Sequence, residues 1–423
     1  MSLLSIKHSQ KKITPLLLGL ISVVELLLVS NFSDLRPYLG NWAYKSIEIL
    51  NFNAPSDNLY GPGSALLLIP FIWSGPTYFA ANIFYIFVGS IYFCKISQKI
   101  TTRKLRYASY LSLILNPYFF WLCHSSQDTV FEFALLMLSL YFIINNKFIL
   151  FCLFAFLLSE TRSQYWLFFL LTALIKIFFS IKKKSKVKKV YFLPIILLFT
   201  VMGFNQYNYN STSITLFAGE TLELGQSRYF YIAHPKFDVD FMLDLADTSG
   251  TYRKTKAPEY FSPAEKNDFY TKQAFLSIKE YPKQAILNLM QKVDSTIFIS
   301  QKVPNAPGYF KLNQNGNQIQ IVDERLSWSL VLGLMLYQLW RGCMLVLFIS
   351  ALAILFYNIK WSKLRIQANE FWLLLPWVST IFVVILFVSE TRYKLVPELL
   401  LPLFSLLILS KIVKYKVAQS DWK

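Results

Sequence analysis

Hydrophobicity along this chain comes in long blocks. Runs 13–30, 77–94, 107–122, 129–144, 148–164, 165–181, 190–206, 330–357, 370–388 and 395–411 are almost wholly apolar, and short polar or basic stretches separate most of them. A bilayer span needs about 20 mostly apolar residues, so these ten runs predict an all-α polytopic membrane protein. The run 60–73, "YGPGSALLLIPFIW", is short and carries Gly61, Pro62, Gly63 and Pro70. The first run follows Lys7, Lys11 and Lys12, contains Glu25 and lacks a small-residue cleavage site. It reads as a retained helix and not as a removed signal peptide.

Between the seventh and eighth runs the pattern becomes that of a soluble segment. Ser262, Pro263 and Glu265 form a capping-box start, with Pro at the first helical position. Tyr270, Ala274, Ile278 and Tyr281 then recur at helical spacing on one face. Pro282 opens a second helix, for which the same reasoning puts Ile286, Leu289, Met290 and Val293 inward. The chain thus divides into an N-terminal transmembrane module over 1–206, a small and mainly helical cap over 207–326, and a C-terminal module over 327–423. The first polar loop, 31–76, carries juxtamembrane helices, one expected over Trp42–Leu50 and lying flat on the bilayer.

Composition agrees: 55% of the 423 residues are hydrophobic and 17% aromatic, beyond the ordinary soluble range. The net charge of +18 does not point to nucleic acid, because the cations gather in short loops such as Lys95–Arg106, Lys182–Lys189, Lys360–Arg365 and Lys411–Lys416. These loops all fall on one side when 60–73 dips into the membrane without crossing. The positive-inside rule makes that side cytoplasmic. Both termini are then cytoplasmic, in a multi-pass protein of the plasma (inner) membrane, and the cap and first loop face outward. Cys94, Cys123, Cys152 and Cys343 lie in or beside apolar runs without ligand spacing and read as packing residues. His124 and His234 have no metal-ligand partner at useful spacing. No cofactor is firmly implied, and nothing indicates a divalent metal.

The tetrapeptide Ser-Glu-Thr-Arg occurs twice, at Ser159–Arg162 and Ser389–Arg392, each time where one apolar run meets the next on the outer side. Lys147 lies only 13 residues before Glu160, about 20 Å of helix, so Glu160 and Arg162 are expected to be recessed below the outer surface. Charge at that depth faces protein or a wet cavity; a Glu/Arg pair closing a helical hairpin is the structural alternative. Asp34 follows the first run closely and reads either as a helix cap or as a carboxylate at the membrane surface. Asp128, in "SSQDT", reads as a cap or as part of the same cavity. Glu25 and Lys176, inside spans, are explained by pairing or snorkelling.

The order of several short elements resembles a known family. They are "SDLRPYLGNWA" with its early Asp34, "YGPGSALLLIPF" beginning at Tyr60, the basic loop "KISQKITTRKLRY", and the ending "SETRYKLVPELLLPLFSLL". Together they resemble the GT-C superfamily of integral-membrane glycosyltransferases, in particular bacterial relatives of protein O-mannosyltransferases. The resemblance implies a polyprenyl-phosphate-linked sugar as donor and transfer on the outer face. It places Asp34 at the catalytic carboxylate. Leu35 stands where the family often has a second acidic residue, and Gly-Pro-Gly replaces its commoner Pro-Pro; Glu48 and Asp57 are the other carboxylates of that loop.

The chemistry of such a transfer suits the residues. Breaking a sugar–phosphate bond builds negative charge on the leaving phosphate, which an always-ionised guanidinium meets bidentately. Arg392 is the first candidate, then Arg162 and Lys394, with Glu390 and Glu160 steadying the arginines and Asp128, Asp57 and Tyr60 in support. Asp34 would take the acceptor proton. The acceptor is a glycan, lipid or protein hydroxyl, and a single displacement inverts the anomeric centre. The rival readings are a transporter or flippase for lipid-linked glycans, a polymerase-type enzyme using the same donors, and a membrane scaffold.

Overall fold

The computed structural model of the protein describes residues 3–32, 42–53, 62–74, 79–116, 119–120, 123–124, 127–216, 218–226, 257–297, 310–315, 318–323, 328–360, 368–387 and 391–420. The first half of the chain forms α1 (Leu3–Phe32), α2 (Trp42–Leu50), α3 (Gly63–Leu68), α4 (Phe79–Ile100), α5 (Arg103–Ile114), α6 (Gln127–Ile144), α7 (Phe148–Thr161), α8 (Tyr165–Lys182) and α9 (Leu193–Tyr209). A further three helices follow: α10 (Ala218–Gln226), α11 (Pro263–Glu280) and α12 (Pro282–Ile297). An antiparallel hairpin of β1 (Phe310–Asn315) and β2 (Gln318–Asp323) pairs Phe310 with Asp323. The chain continues with α13 (Trp328–Lys360), α14 (Ala368–Leu386), α15 (Thr391–Glu398) and α16 (Leu400–Ser420).

Among the described residues, four helical stretches are long and apolar enough to cross a membrane: Phe79–Ile100, Tyr165–Lys182, Lys189–Tyr209 and Met335–Tyr357. Shorter apolar helices occupy Thr14–Ser30, Gly63–Ile72, Phe148–Thr161 and Phe371–Leu386. The architecture is compatible with a helical membrane protein. The expected run 107–122 is not one helix. Asn116 precedes Pro117, a position sterically unfavourable for helix, and its Oδ1 accepts from Phe119 N at 3.1 Å, so α5 stops at Ile114. The run 395–411 is likewise divided, near Pro397, between α15 and α16. In the run 60–73, α3 has only 6 residues and passes into a 3₁₀ turn over Ile69–Ser74. That is too short to cross at 1.5 Å per residue.

α6 is the central helix, packed on α4, α7, α14 and α15. From Thr129 to Leu140 every side chain on it is buried. A helix apolar on all sides belongs in the middle of a bundle, and burial is then forced on whatever polar residue the helix carries. Cys94, Cys123 and Cys152 are buried, as expected of packing thiols, whereas Cys343 is exposed on α13.

The basic ends of several helices meet. Lys99 Nζ donates to the Ile144 carbonyl at 3.3 Å, and Lys176 Nζ reaches Asn146 Oδ1 at 3.3 Å. Thr102 N donates to Ser410 Oγ at 2.9 Å. The ends of α4 and α6, the last turns of α8 and the middle of α16 thus share one end of the bundle. Lys176 also lies 5.0 Å from the Trp372 ring centre, which puts the start of α14 there and its C-terminus at the opposite end.

The capping box forms as expected: Ser262 N donates to Glu265 Oε2 at 2.8 Å and Glu265 N to Ser262 Oγ at 3.3 Å. These bonds hold the Glu265 carboxyl below its ordinary range. Tyr270 and Ala274 are buried, but Tyr281 is exposed. The expectation for α12 fails at three of its four positions, Val293 alone being half-buried. Ile286, Leu289 and Met290 face outward, and Asn288 and Lys292 face the protein. The inward side is decided by hydrogen bonds: Asn288 Nδ2 donates to the Gly225 carbonyl and Lys292 Nζ to the Phe387 carbonyl.

Burial pushes the Lys292 ammonium down to about 7. The folded protein therefore binds this proton less tightly than the unfolded chain, whose lysine titrates near its ordinary 10.5. Stability is expected to rise with pH from about 7 toward 10.5. Thermal unfolding of detergent-solubilised protein should show this slope, and Lys292→Met should flatten it.

Candidate functional site

At the end of the bundle opposite the basic turns, α6, α7 and α8 bring charged side chains together. α7 ends at Thr161, and the backbone at Arg162 turns extended (φ −141°, ψ 103°). That change swings Arg162 away from Glu160 and across to α6. Arg162 Nη2 lies 3.7 Å from Asp128 Oδ2, and Arg162 Nε lies 3.6 Å from Glu132 Oε2. The other Glu132 oxygen accepts a 2.6 Å hydrogen bond from Tyr165 OH, at the start of α8. Glu132 is wholly buried, Arg162 is 9% exposed and Asp128 is 23% exposed. The cluster thus grades from a sealed carboxylate, through the guanidinium, to a partly open one.

Asp128 and Glu132 are four residues apart on one helix, so both project to the same face. A buried ion pair is tolerated only where further hydrogen bonds help to offset desolvation. Tyr165 provides that for Glu132.

The neighbouring walls are α3 and α15. α3 packs on α6 and α7, and it does so at Gly63, where a Cβ would fall 2.6 Å from Thr161 N. Only a residue without a side chain lets the two backbones approach so closely. Tyr85 OH and Ser46 Oγ donate to the carbonyls of Leu67 (3.0 Å) and Ala65 (2.8 Å), fixing α3 from α4 and α2. α15 packs against α6 and α14. Its far end is fixed by a second buried cluster, in which Arg341 Nε donates to Glu398 Oε1 at 3.0 Å and Tyr337 OH to Glu398 Oε2 at 3.1 Å. Trp340 Nε1 donates to the Ser112 carbonyl at 2.8 Å and ties α13 to α5.

Of the residues nominated by sequence, Asp128 and Arg162 are brought together. The sequence nominated Glu160 as the carboxylate steadying Arg162; the structure puts Asp128 and Glu132 there. Glu160 itself is buried in the last turn of α7, against α3. Arg392 and Lys394 lie on α15, and their side chains are outside the described residues. Asp34, Asp57, Tyr60 and Glu390 also lie outside them.

Glu132, Tyr165, Arg341 and Glu398 were not foreseen. Each charged member sits within an apolar run, and an intramembrane ionisable residue is itself the signal that finds such sites. Among the described residues no group of three or more His, Cys, Asp or Glu side chains is placed to hold a metal ion. No protein-family model, curated protein or solved structure matches the chain.

Proposed function

We propose that the protein is a membrane glycosyltransferase that moves a sugar from a polyprenyl-phosphate carrier to an acceptor hydroxyl at the extracytoplasmic surface. The observation that carries this reading is the Asp128–Arg162–Glu132 cluster, held in the apolar bundle at the end opposite the basic turns. Charge recessed in apolar surroundings faces protein or a wet cavity and marks a substrate path. A lipid-linked donor keeps its chain in the bilayer and its phosphate at the headgroup level, just above the recessed Arg162.

In this reading the acceptor oxygen attacks the anomeric carbon, its proton passes to Asp34, and the carbon–oxygen bond to phosphate breaks. The electron pair leaves on the phosphate, where Arg392, Arg162 and Lys394 meet the developing charge. Displacement in one step inverts the anomeric centre. Glu132 and Tyr165 hold Arg162 in position, and Asp128 sits at its open side.

The test is transfer of labelled sugar from polyprenyl phosphate by the purified protein. Asp34→Asn and Arg392→Ala are each expected to lower the rate about 100-fold or more, the usual loss for a removed base or charge-stabilising group. Undiminished transfer by both variants would overturn the mechanism.

A further inference from the structure

The reversed face of α12 has no place in that mechanism. In water-soluble packing an amphipathic helix turns its apolar stripe to the core. α12 does the opposite: its polar Asn288 and Lys292 are buried against protein, and Ile286, Leu289 and Met290 point away from it. Phe275 and Leu276 of the preceding helix, α11, are exposed as well. Ile286 (60%) and Met290 (63%) are as open as Leu20 (56%) and Val24 (54%) on the apolar helix α1. A soluble protein rarely leaves such a stripe to water.

The level at which α12 sits identifies what covers it. α12 packs on α14. Its Lys292 Nζ binds the carbonyl of Phe387, just past the C-terminus of α14, and Gln226 Nε2 of α10 binds the adjacent Leu386 carbonyl at 2.8 Å. α14 is itself apolar and outwardly exposed at Val378, Phe382 and Leu386, up to its last turn. α12 is therefore fastened where the apolar girdle of the bundle ends, at the end that carries the Arg162 cluster. The same reversal occurs on α2, where Lys45 and Ser46 are buried while Tyr44 and Ile47 are exposed.

We infer that α12 is a lipid-surface helix: its Ile286–Leu289–Met290 stripe is sunk into the headgroup–acyl boundary of the leaflet at the site end, and its polar side grips the end of α14. Helices of this kind bury their apolar face about 5–10 Å into that boundary. The inference rests on the bundle being membrane-embedded and is independent of the glycosyl-transfer reading.

Spin labels on the full chain test it. With Cys343 replaced by Ser, Ile286→Cys and Met290→Cys are labelled in turn, with Asp268→Cys on α11 as a water-facing reference. Each protein is reconstituted into vesicles of phosphatidylethanolamine and phosphatidylglycerol. Labels at 286 and 290 are expected to collide several-fold more often with dissolved oxygen than with a water-soluble nickel chelate, the reverse of the label at 268. Nickel collisions at 286 and 290 matching those at 268 would place the stripe in water and overturn the inference. Shielding from both quenchers would show a protein partner or a second copy on this face, and would overturn it equally. Because no sugar transfer is measured, loss of the proposed activity and failure of this inference are separate results.

Discussion

Replacing Arg162 with Met is expected to destabilise the protein by about 3–5 kcal/mol, the range for removing one partner of a buried ion pair. The reason lies in Glu132. It has no exposed surface, and its oxygens face Tyr165 OH and the Arg162 guanidinium. Without Arg162 an ionised carboxylate is left in apolar surroundings, or it must take up a proton. A second substitution, Glu132→Gln, removes that charge and keeps an acceptor for Tyr165. The double variant should regain most of the lost stability in thermal unfolding, a coupling of the kind seen between contacting residues. Under the proposed function, sugar transfer should stay lost in the double variant, because the guanidinium is still absent. Asp128→Asn is expected to cost less, within about 1 kcal/mol, because Asp128 is 23% exposed and solvent screens its pairing.

The second large effect belongs to the Arg341–Glu398 pair. Both side chains are 2% exposed, and Tyr337 OH donates to the second Glu398 oxygen. Arg341→Met or Glu398→Leu alone is expected to lower stability by about 3–5 kcal/mol, because each leaves a buried charge unpaired. The two together should cost far less, since well-packed apolar replacements of a buried ion pair are often neutral or stabilising. The single variants carry a functional consequence too. Glu398 closes α15, the helix that bears Arg392, so under the proposed glycosyl-transfer function loosening its hold on α13 should weaken donor binding as well as stability. A raised KM at partly retained kcat in either single variant is the expected signature.

Much of the architecture is legible in the chain alone. Long apolar blocks predict helices because a helix satisfies its backbone polar groups internally. The blocks over 129–144, 148–164 and 165–181 correspond to α6, α7 and α8 within a few residues. Local chemistry is equally legible where it is short-range. The Ser262–Glu265 capping box and the helix over Trp42–Leu50 depend on neighbours in sequence, and both are formed. The break after Ile114 was legible in principle from Asn116-Pro117, but the apolar run around it hid the signal.

The sequence also placed Arg162 and Asp128 at adjoining turns, from the lengths of the runs between them. Which carboxylate holds Arg162 was decided only in three dimensions. Glu160 lies two residues before Arg162 in the chain, yet the extended backbone at Arg162 sends its side chain to another helix. The burial of Glu132 and the pairing of Arg341 with Glu398, 57 residues apart, likewise follow from which helix faces which. Periodicity cannot report this when a helix is apolar on every side. The face of α12 shows the same division. Its stripe is readable from spacing, but spacing assigns no direction, because water, protein and lipid set different costs for the same side chains. Hydrogen bonds from Asn288 and Lys292 to carbonyls on other elements turned the polar side inward, and tertiary packing alone supplies those partners.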